Sequence, residues 1–436
     1  MNNQGLFNGG VTIVQPIEHG MTKNLDAQNN IYTVVLEGLL EGKKVQSDEI
    51  ITAINGTVNP YEDFDSYLAL AEEDSSEVIF SNTTEAGISF DEMDKLDDRP
   101  AKSYPAKLTQ LLHRRFGRSK KGFHIIPCEL INHNGDKLKE TILQYADLWN
   151  LGADFKKWIE EENHFYSTLV DRIVPGFPRD NKEEVFERIG YEDNLLVKAE
   201  AFHLFVIEGN KELEKVLPFE EAGLNVIITD DMQPYRERKV RLLNGPHTTM
   251  TPIGLLAGIE TVGEIMRDPD FSKFIHDEMY EEISPMIDLP KDELASYSEA
   301  IKERFANPFV RHELTSIALN SISKYKTRLL PGVLQNIKHT NKVPRRMTLA
   351  LAALLVIYGD FANITVEPVD TDDVVKKFQE LKKSDDYVNA VLSNQDFWGE
   401  NLTKYPELVK EVKTDVEQLL TKGARAIVKE INAEWE

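Results

Sequence analysis

Cysteine is almost absent from this sequence, which contains only Cys128 among its 436 residues. One thiol cannot form an intramolecular disulfide or a cysteine-based zinc site, and the scarcity of cysteine suits a reducing cytoplasm. The sequence also has no H-E-x-x-H motif to provide a histidine-based zinc site. We predict that Cys128 is a small buried residue at a strand end rather than a nucleophile, because free cysteines are usually buried.

Long hydrophobic runs are missing as well. The first residues, Met-Asn-Asn-Gln-Gly, have neither the basic region nor the apolar region of a secretory signal. The most apolar stretch, residues 349–358, is about half as long as a membrane-spanning helix must be. We therefore predict that residues 349–358 form a buried core helix, and we expect a cytoplasmic protein without a membrane partner.

Positive charge is in short supply, since 50 Lys and Arg residues stand against 74 Asp and Glu residues and the net charge is −24. Such an excess of negative charge disfavours nonspecific binding of nucleic acid through simple repulsion. An anionic small molecule would therefore need a local basic pocket. The candidate for that pocket is the cluster Arg236, Arg238, Lys239 and Arg241.

The order of the apolar segments predicts an α/β architecture. Short apolar runs at residues 11–14, 32–36 and 77–80 alternate with helical patches, which is typical of a parallel sheet with crossover connections. Residues 137–151 have helical spacing and begin a helix-rich region. The chain, which is 41% hydrophobic, is long enough for two or three domains.

Two prolines and a glycine in residues 172–180 mark the predicted domain boundary. Beyond it, residues 201–207 and 224–229 are predicted to be strands. Nearly everything after residue 251 has the pattern of amphipathic helices separated by prolines. The sequence thus predicts a first domain at residues 1–175 and a mostly helical second domain at residues 176–436.

Lys239, Asn244 and His247 are the residues that most suggest chemistry. A Lys near other cations can lose its proton near neutral pH, and an Asn amide can stabilise a developing alkoxide. If residues 242–249 begin a helix, Asn244 and His247 project from one side of its first turn. The apolar run at residues 224–229 would then deliver Lys239 to the carboxyl end of a strand, where open α/β sheets bind ligands. A solvated basic face with a structural histidine is the alternative, and the spacing alone leaves both open.

Residues 234–248, PYRERKVRLLNGPHT, resemble the catalytic segment of the long-chain mannitol dehydrogenase family. Three further blocks resemble the family in the same order: FSNTTEAGI at residues 80–88, IPCELINHNG at 126–135 and DRIVPGFPRD at 171–180. The resemblance implies a Rossmann-like dinucleotide-binding domain followed by a mainly α-helical domain. It also implies a metal-independent oxidoreductase that uses NAD and acts on a small hexuronate and aldonate pair, D-tagaturonate and D-altronate. The substrates of other members, which are fructuronate, mannitol and sugar-alcohol phosphates, are the alternatives.

The resemblance also implies roles for individual catalytic residues. Lys239 would be the general acid and base, and Asn244 would help to stabilise the alkoxide. His247 would contact or orient the substrate. A second family Asn, which would also bind the alkoxide, falls at Asn134.

Cofactor contacts are implied at three positions. Asn82 and Thr83 fall beside the nicotinamide end of NAD, with a simple Asn/Thr-rich turn as the alternative, and Gln15 stands at the ribose-binding position, which is usually acidic. The G-x-G-x-x-G loop that holds a pyrophosphate is absent from the sequence. Compared with the family, the chain lacks the first strand, this loop and the first helix. We therefore expect an N-terminally truncated Rossmann-like domain that by itself binds NAD weakly or not at all, whereas the full gene product would be active. A noncatalytic binding protein is the alternative to an enzyme.

Overall fold

The structure is a computed structural model that describes residues 1–40, 42–84, 87–179, 181–309, 311–361 and 364–434, with only the backbone of residue 40. The chain divides into two compact units. Unit 1 comprises Met1–Glu37 and Lys44–Met232, and unit 2 comprises Gly38–Lys43 and Gln233–Glu436.

The division after Met232 lies further along the chain than the predicted boundary at residue 175. Strand pairing explains the difference. Ser167–Asp171 pairs with Leu204–Glu208, and Tyr32–Leu40 pairs with Val197–Glu200, so strands on both sides of the proline-containing segment belong to the same sheets. The Pro and Gly residues of that segment therefore mark a loop inside unit 1, since a local turn signal does not reveal which strands will pair across it.

The strands of the chain fall almost entirely in unit 1, together with six α-helices among its described residues. The strands are β1 (Val11–Val14), β2 (Tyr32–Leu40), β3 (Lys43–Ile51), β4 (Ile54–Val58), β5 (Val78–Ser81), β6 (His124–Pro127), β7 (His164–Phe165), β8 (Ser167–Asp171), β9 (Val197–Glu200), β10 (Leu204–Glu208) and β11 (Val226–Thr229). The helices are α1 (Thr22–Ala27), α2 (Phe64–Ala69), α3 (Tyr104–Phe116), α4 (Asn134–Leu148), α5 (Ala153–Glu161) and α6 (Lys182–Ile189).

The strands form four sheets within the described residues of unit 1. β1 pairs in parallel with β4, and β5, β6 and β7 form a second parallel sheet. β2 lies between β3 and β9, and β10 lies between β8 and β11, antiparallel to the former and parallel to the latter. The predicted parallel pairing with helical crossovers is confirmed. The predicted strand at residues 32–36 exists as well, as part of β2. It belongs to a separate sheet that it forms with β3 and β9.

One hydrophobic cluster joins the two parallel sheets of unit 1. Val14 of β1, Val58 of β4 and Ile79 of β5 pack against the cluster to which Ile125 of β6 belongs, together with buried residues of α3, α4 and α5. The periodicity that predicted a helix at residues 137–151 therefore reports the buried face of α4. Because parallel strands have helices on their faces, their carboxyl ends are free to form a binding edge.

Apart from the strand residues within Gly38–Lys43, unit 2 is mainly helical in its described residues. Its α-helices are α7 (Gln233–Lys239), α8 (Gly245–Leu256), α9 (Val262–Arg267), α10 (Pro269–Asp277), α11 (Lys291–Phe305), α12 (Leu314–Ile317), α13 (Ser321–Arg328), α14 (Leu330–Thr340), α15 (Arg345–Tyr358), α16 (Asp372–Leu381), α17 (Tyr387–Leu392), α18 (Gln395–Trp398), α19 (Pro406–Lys422) and α20 (Ala424–Ala433). Two π-helical turns, Val240–Asn244 and Glu278–Ile283, interrupt this pattern.

Helix α15 forms the core of unit 2, as its apolar composition predicted. Every residue from Arg346 to Tyr358 is buried, and the helix packs against α8 and α19. The charge of Arg346 is balanced by Asp277 and Glu282, whose carboxylates lie 3.0 and 3.3 Å from its guanidinium nitrogens. Among the described residues, no helix combines the length and the apolar character that crossing a membrane requires.

Candidate active site

Lys239, Asn244 and His247 lie on one continuous helical segment of unit 2. Lys239 is the last residue of α7, Asn244 ends the π-helical turn, and His247 lies in the first turn of α8. The sequence predicted that a strand would deliver Lys239, but β11 ends at Thr229 and α7 begins before Lys239 is reached. The end of a helix, rather than the end of a strand, therefore positions the side chain of Lys239.

The π-helical turn brings Lys239 and Asn244 to the same side of this segment. In an α-helix, two residues five apart are separated by about 140° around the axis. In the π-helical turn, the N–H of Gly245 bonds the carbonyl of Val240, five residues earlier, so the turn is wider and residues five apart lie closer in angle than they do in an α-helix. Asn244 and His247 are three apart, and neighbours at that spacing also share a helix face. The backbone thus places Lys239, Asn244 and His247 toward a similar side of the segment.

His247 is buried between aromatic rings and basic side chains. Its ring centroid lies 4.4 Å from that of Phe305 and 4.9 Å from that of His312. Burial lowers the pKa of His247 well below its usual range, so the imidazole is neutral near pH 7. Basic neighbours lower that pKa further, in the order His312, Arg304, Arg328 and Lys324.

The basic residues near Lys239 in the sequence are largely occupied by other partners. Arg238 is buried, forms an ion pair with Glu293 and lies over the ring of Tyr297 at 4.2 Å. Arg241 pairs with Glu237 at 2.5 Å and donates to the carbonyl of Met286 at 3.0 Å. Two of the four cations in the predicted basic pocket, Arg238 and Arg241, are therefore engaged in contacts within the protein.

The basic residues that act on the pKa of His247 were not identified from the sequence. Arg304 lies in the last turn of α11, His312 precedes α12, and Lys324 and Arg328 lie on α13. No local motif connects these positions with His247, because folding alone brings the segments together.

Asn82 and Thr83 follow β5 in unit 1. Asn82 lines an open cleft, and Thr83 is the next residue along the chain. The cleft has about 900 Å³ of empty volume at the carboxyl ends of β5 and β6, and its lining includes Asn82, Cys128 and Arg172. Buried Glu129 orders the start of this loop, because it accepts hydrogen bonds from the N–H and the hydroxyl of Thr83 at 3.0 and 2.9 Å. Asn82 is exposed, so its amide can reach a ligand.

Asn134 is connected to the same loop through Glu129. Its Nδ2 donates to the carbonyls of Pro127 and Glu129 at 2.9 and 3.0 Å, and to Oγ1 of Thr168 at 3.2 Å. Its Oδ1 accepts from the N–H groups of Gly135 and Thr168 at 2.9 and 2.7 Å. The amide thus holds α4 against β6 and β8, and the contact of Asn134 with an alkoxide stays a prediction.

Gln15 directly follows β1 and makes its hydrogen bonds within its own loop. Its Nε2 donates to the carbonyls of Ile17 and Glu18 at 2.9 and 3.1 Å, and its Oε1 accepts from the hydroxyl of Thr22 at 2.6 Å. The buried amide therefore sets the shape of the turn after β1. A contact of Gln15 with a ribose stays a prediction.

Cys128 follows β6, and burial raises the pKa of its thiol to about 12. A thiol that remains protonated at neutral pH is a poor nucleophile. The residue lies at a strand end as predicted, but it is half-buried and lines the cleft rather than being fully buried. Within the described residues, no three His, Cys, Asp or Glu side chains are grouped so that they could hold a metal ion.

Comparison with known proteins covers both units. Residues 3–221 match the mannitol dehydrogenase Rossmann domain, and residues 231–420 match the mannitol dehydrogenase C-terminal domain. An altronate oxidoreductase of Enterobacter sp. (strain 638) is 44% identical over 445 aligned positions, which cover 99% of this chain and 92% of that protein. An altronate oxidoreductase of Phocaeicola vulgatus is 46% identical over 443 positions, with the same coverage of 99% and 92%.

Two solved structures share the fold at lower sequence identity. A D-sorbitol dehydrogenase in substrate-free form has a TM-score of 0.81 and 22% identity, with coverage of 96% of this chain and 88% of that chain. The Pseudomonas fluorescens mannitol 2-dehydrogenase, in a ternary complex with NAD and D-mannitol, has a TM-score of 0.69 and 22% identity, with coverage of 94% and 85%. Two matched domains, and relatives at 44–46% identity over nearly the whole sequence, establish that the chain belongs to the mannitol dehydrogenase family.

Proposed function

We propose that the chain is an NAD-dependent oxidoreductase that interconverts D-tagaturonate and D-altronate. The observation that carries the proposal is the alignment of Lys239, Asn244 and His247 along one side of a helical segment. The names of relatives at 44–46% identity, which are altronate oxidoreductases, support this choice of substrate pair.

Unit 1 carries side chains that suit a nicotinamide cofactor. The exposed amide of Asn82 and the hydroxyl of Thr83 stand at the carboxyl end of β5, where α/β sheets bind ligands, and such groups match the polar edge of a nicotinamide ribose. We assign Asn82 and Thr83 to the nicotinamide end. Gln15 would act on the ribose side through the turn that it orders.

Proton transfer is the task that we assign to Lys239. When NADH is bound, it supplies the hydride that reduces the carbonyl carbon. The amide of Asn244 donates a hydrogen bond to the carbonyl oxygen as negative charge develops there. Lys239, as an ammonium ion, gives that oxygen its proton and becomes neutral. In the oxidation of D-altronate, neutral Lys239 accepts the hydroxyl proton, so no metal ion is needed for this step.

His247 has a different task in the proposal. Its imidazole is neutral near pH 7, because burial lowers its pKa, and it therefore offers one hydrogen-bond donor and one acceptor. Those groups can orient a substrate hydroxyl without competing with Lys239 for the proton.

A substrate panel tests the proposed activity. The loss of NADH absorbance would be measured with D-tagaturonate, D-fructuronate and D-fructose, and NADH binding would be measured separately by fluorescence titration without sugar. We expect the highest kcat/KM with D-tagaturonate. Preference for D-fructose would identify a polyol dehydrogenase, and the absence of NADH binding would favour the noncatalytic alternative.

A further inference from the structure

The second π-helical turn of unit 2 packs against the first, which belongs to the proposed catalytic segment, residues 239–247. It also contacts the first turns of α8 at two points. A Cβ placed on Gly245 would lie 3.5 Å from Cδ1 of Ile283, and the hydroxyl of Thr249 donates a hydrogen bond to Oε1 of Glu278. The second π-helical turn therefore supports the helix that continues the proposed catalytic segment.

The two contacts lie one helical turn apart on both partners. Gly245 and Thr249 are four residues apart and share a face of α8. Glu278 and Ile283 are five residues apart, which would separate them by about 140° in an α-helix. The wider π-helical turn reduces that angle, so both side chains reach the same face of α8. This packing gives a structural reason for the extra residue in the turn.

Glu278 is a buried acid whose carboxyl group is only partly bonded. Its side chain is fully buried, and its Oε2 has no hydrogen-bond partner among the described residues. Burial is the largest influence and raises the pKa of Glu278 to about 8. The hydrogen bond from Thr249 lowers that pKa, Glu282 raises it and Arg346 lowers it. The carboxyl group is therefore mostly neutral near pH 7.

Negative charge is in excess on this part of unit 2. Arg346 forms ion pairs with three carboxylates close to Glu278 in the sequence, at 3.0, 3.0 and 3.3 Å: Asp277, Glu281 and Glu282. Tyr325 of α13, whose pKa is raised by burial and then by Glu278 and Glu282, is neutral and donates to the carbonyl of Met347 at 3.1 Å. Other charged groups on the packed elements pair with one another: Lys273 with Asp277, Lys302 with Glu299, and Arg241 with Glu237. Ionisation of Glu278 would thus add a fourth carboxylate to this group.

We propose that Glu278 is a positioning residue, which in its neutral form anchors α8 through Thr249 and thereby fixes Asn244 and His247 for the reaction. This inference rests on the proposed function. A carboxylate in this buried position, with the charge of Glu282 one turn away, would be costly, so ionisation draws water into the site or shifts the π-helical turn. Either change weakens the support of α8, and turnover falls as the carboxyl group loses its proton.

The variant Glu278→Gln tests the proton dependence of turnover. Its amide oxygen still accepts from Thr249, and its side chain is neutral at every pH. The ratio of its kcat to that of the wild type should be close to one at about pH 6. It should rise to about tenfold at about pH 9, where about nine tenths of groups with a pKa of about 8 are ionised. Both proteins contain Lys239, so the titration of that residue cancels in the ratio, which would be measured in both reaction directions.

Two further comparisons separate this effect from a general loss of structure. Thr249→Val removes the donor and should lower kcat about tenfold or more, with Thr249→Ser recovering most of the loss and the affinity for NADH nearly unchanged. Glu281→Gln is the matched control in the same turn, because its carboxylate is partly exposed and already pairs with Arg346. A constant ratio for Glu278→Gln, an inactive but folded Glu278→Gln, or an equal pH effect of Glu281→Gln would overturn the proposal.

Thermal unfolding without substrate tests the neutral carboxyl group independently of the proposed function. Glu278 ionises near its ordinary pKa of 4.5 in the unfolded chain, and at about 8 in the folded protein. Between these values the folded protein holds a proton that the unfolded chain releases, so the wild type should lose stability relative to Glu278→Gln as the pH rises from about 5 to about 8. A parallel pH dependence of the two melting temperatures would overturn the proposal. The expected difference, without turnover of D-tagaturonate by either protein, would overturn the proposed function and leave the buried neutral acid standing.

Discussion

Lys239 is half-buried at the end of α7, and the π-helical turn that follows brings Asn244 to its side. In the proposed mechanism, the amine nitrogen of Lys239 must give the proton in one direction and take it in the other. General acid and base catalysis by a positioned side chain contributes about 10² to 10⁴ in rate. Because Lys239 belongs to unit 2 and the nicotinamide contacts are assigned to unit 1, its proton-transfer role can be tested apart from cofactor binding.

Replacement of Lys239 by Ala should lower kcat by at least about a hundredfold, because the developing alkoxide loses its proton donor. The affinity for NADH should stay nearly unchanged in a fluorescence titration. Stopped-flow or steady-state assays with D-tagaturonate measure the first quantity. If turnover survives within about tenfold, which corresponds to only about 1.4 kcal/mol, another group supplies the proton.

Contact between helix α4 and strand β8 depends on a residue without a side chain. Gly135 lies in the first turn of α4, and a Cβ there would lie 2.5 Å from the carbonyl carbon of Tyr166 and 2.7 Å from the backbone nitrogen of Ser167. These are backbone atoms, so they cannot rotate away as a side chain could. The neighbouring Asn134 uses this close approach to bond Thr168 of β8.

Replacement of Gly135 by Ala should therefore lower the free energy of unfolding by about 1–3 kcal/mol, the usual cost of overpacking a well-packed site. Urea denaturation measures the change. Gly117→Ala is the matched control in unit 1, because a Cβ there would lie 3.5 Å from the nearest atom and its φ of −70° suits any residue. A loss for Gly117→Ala as large as that for Gly135→Ala would mean that the approach of α4 is not the cause.

Elements with a strong local pattern could be predicted from the sequence. The core helix at residues 349–358 was found because its apolar residues report burial directly. The strand at residues 11–14 was found from its β-branched residues, although none of them is fully buried. The π-helical turn was not predicted, since one extra residue in a helical turn leaves no separate mark in the periodicity. The resemblance of residues 234–248 located Lys239, but no local pattern encodes the packing of α13 against α8.

At the scale of the whole chain, strand pairing determines where unit 1 ends. β8 is bonded to β10 through the whole of both strands, and β10 in turn pairs in parallel with β11. β2 pairs in parallel with β9 from Val34 to Glu37. A domain that ended at residue 175 would leave β2 and β8 without these partners and would expose their edges and the apolar residues that they bury.

Expression of residues 1–232 should give a fragment that unfolds in one cooperative transition, whereas residues 1–175 should show no such transition, because the shorter piece lacks β9, β10 and β11. Circular dichroism during thermal unfolding measures the cooperativity, and resistance to a nonspecific protease gives an independent reading of compactness. Residues 1–221, where the match to the Rossmann domain ends, form the matched intermediate, since this fragment keeps β10 but loses β11. Cooperative unfolding of residues 1–175 at the same temperature as residues 1–232 would restore the boundary that the prolines suggested, and the later strands would then belong to a separate folding unit.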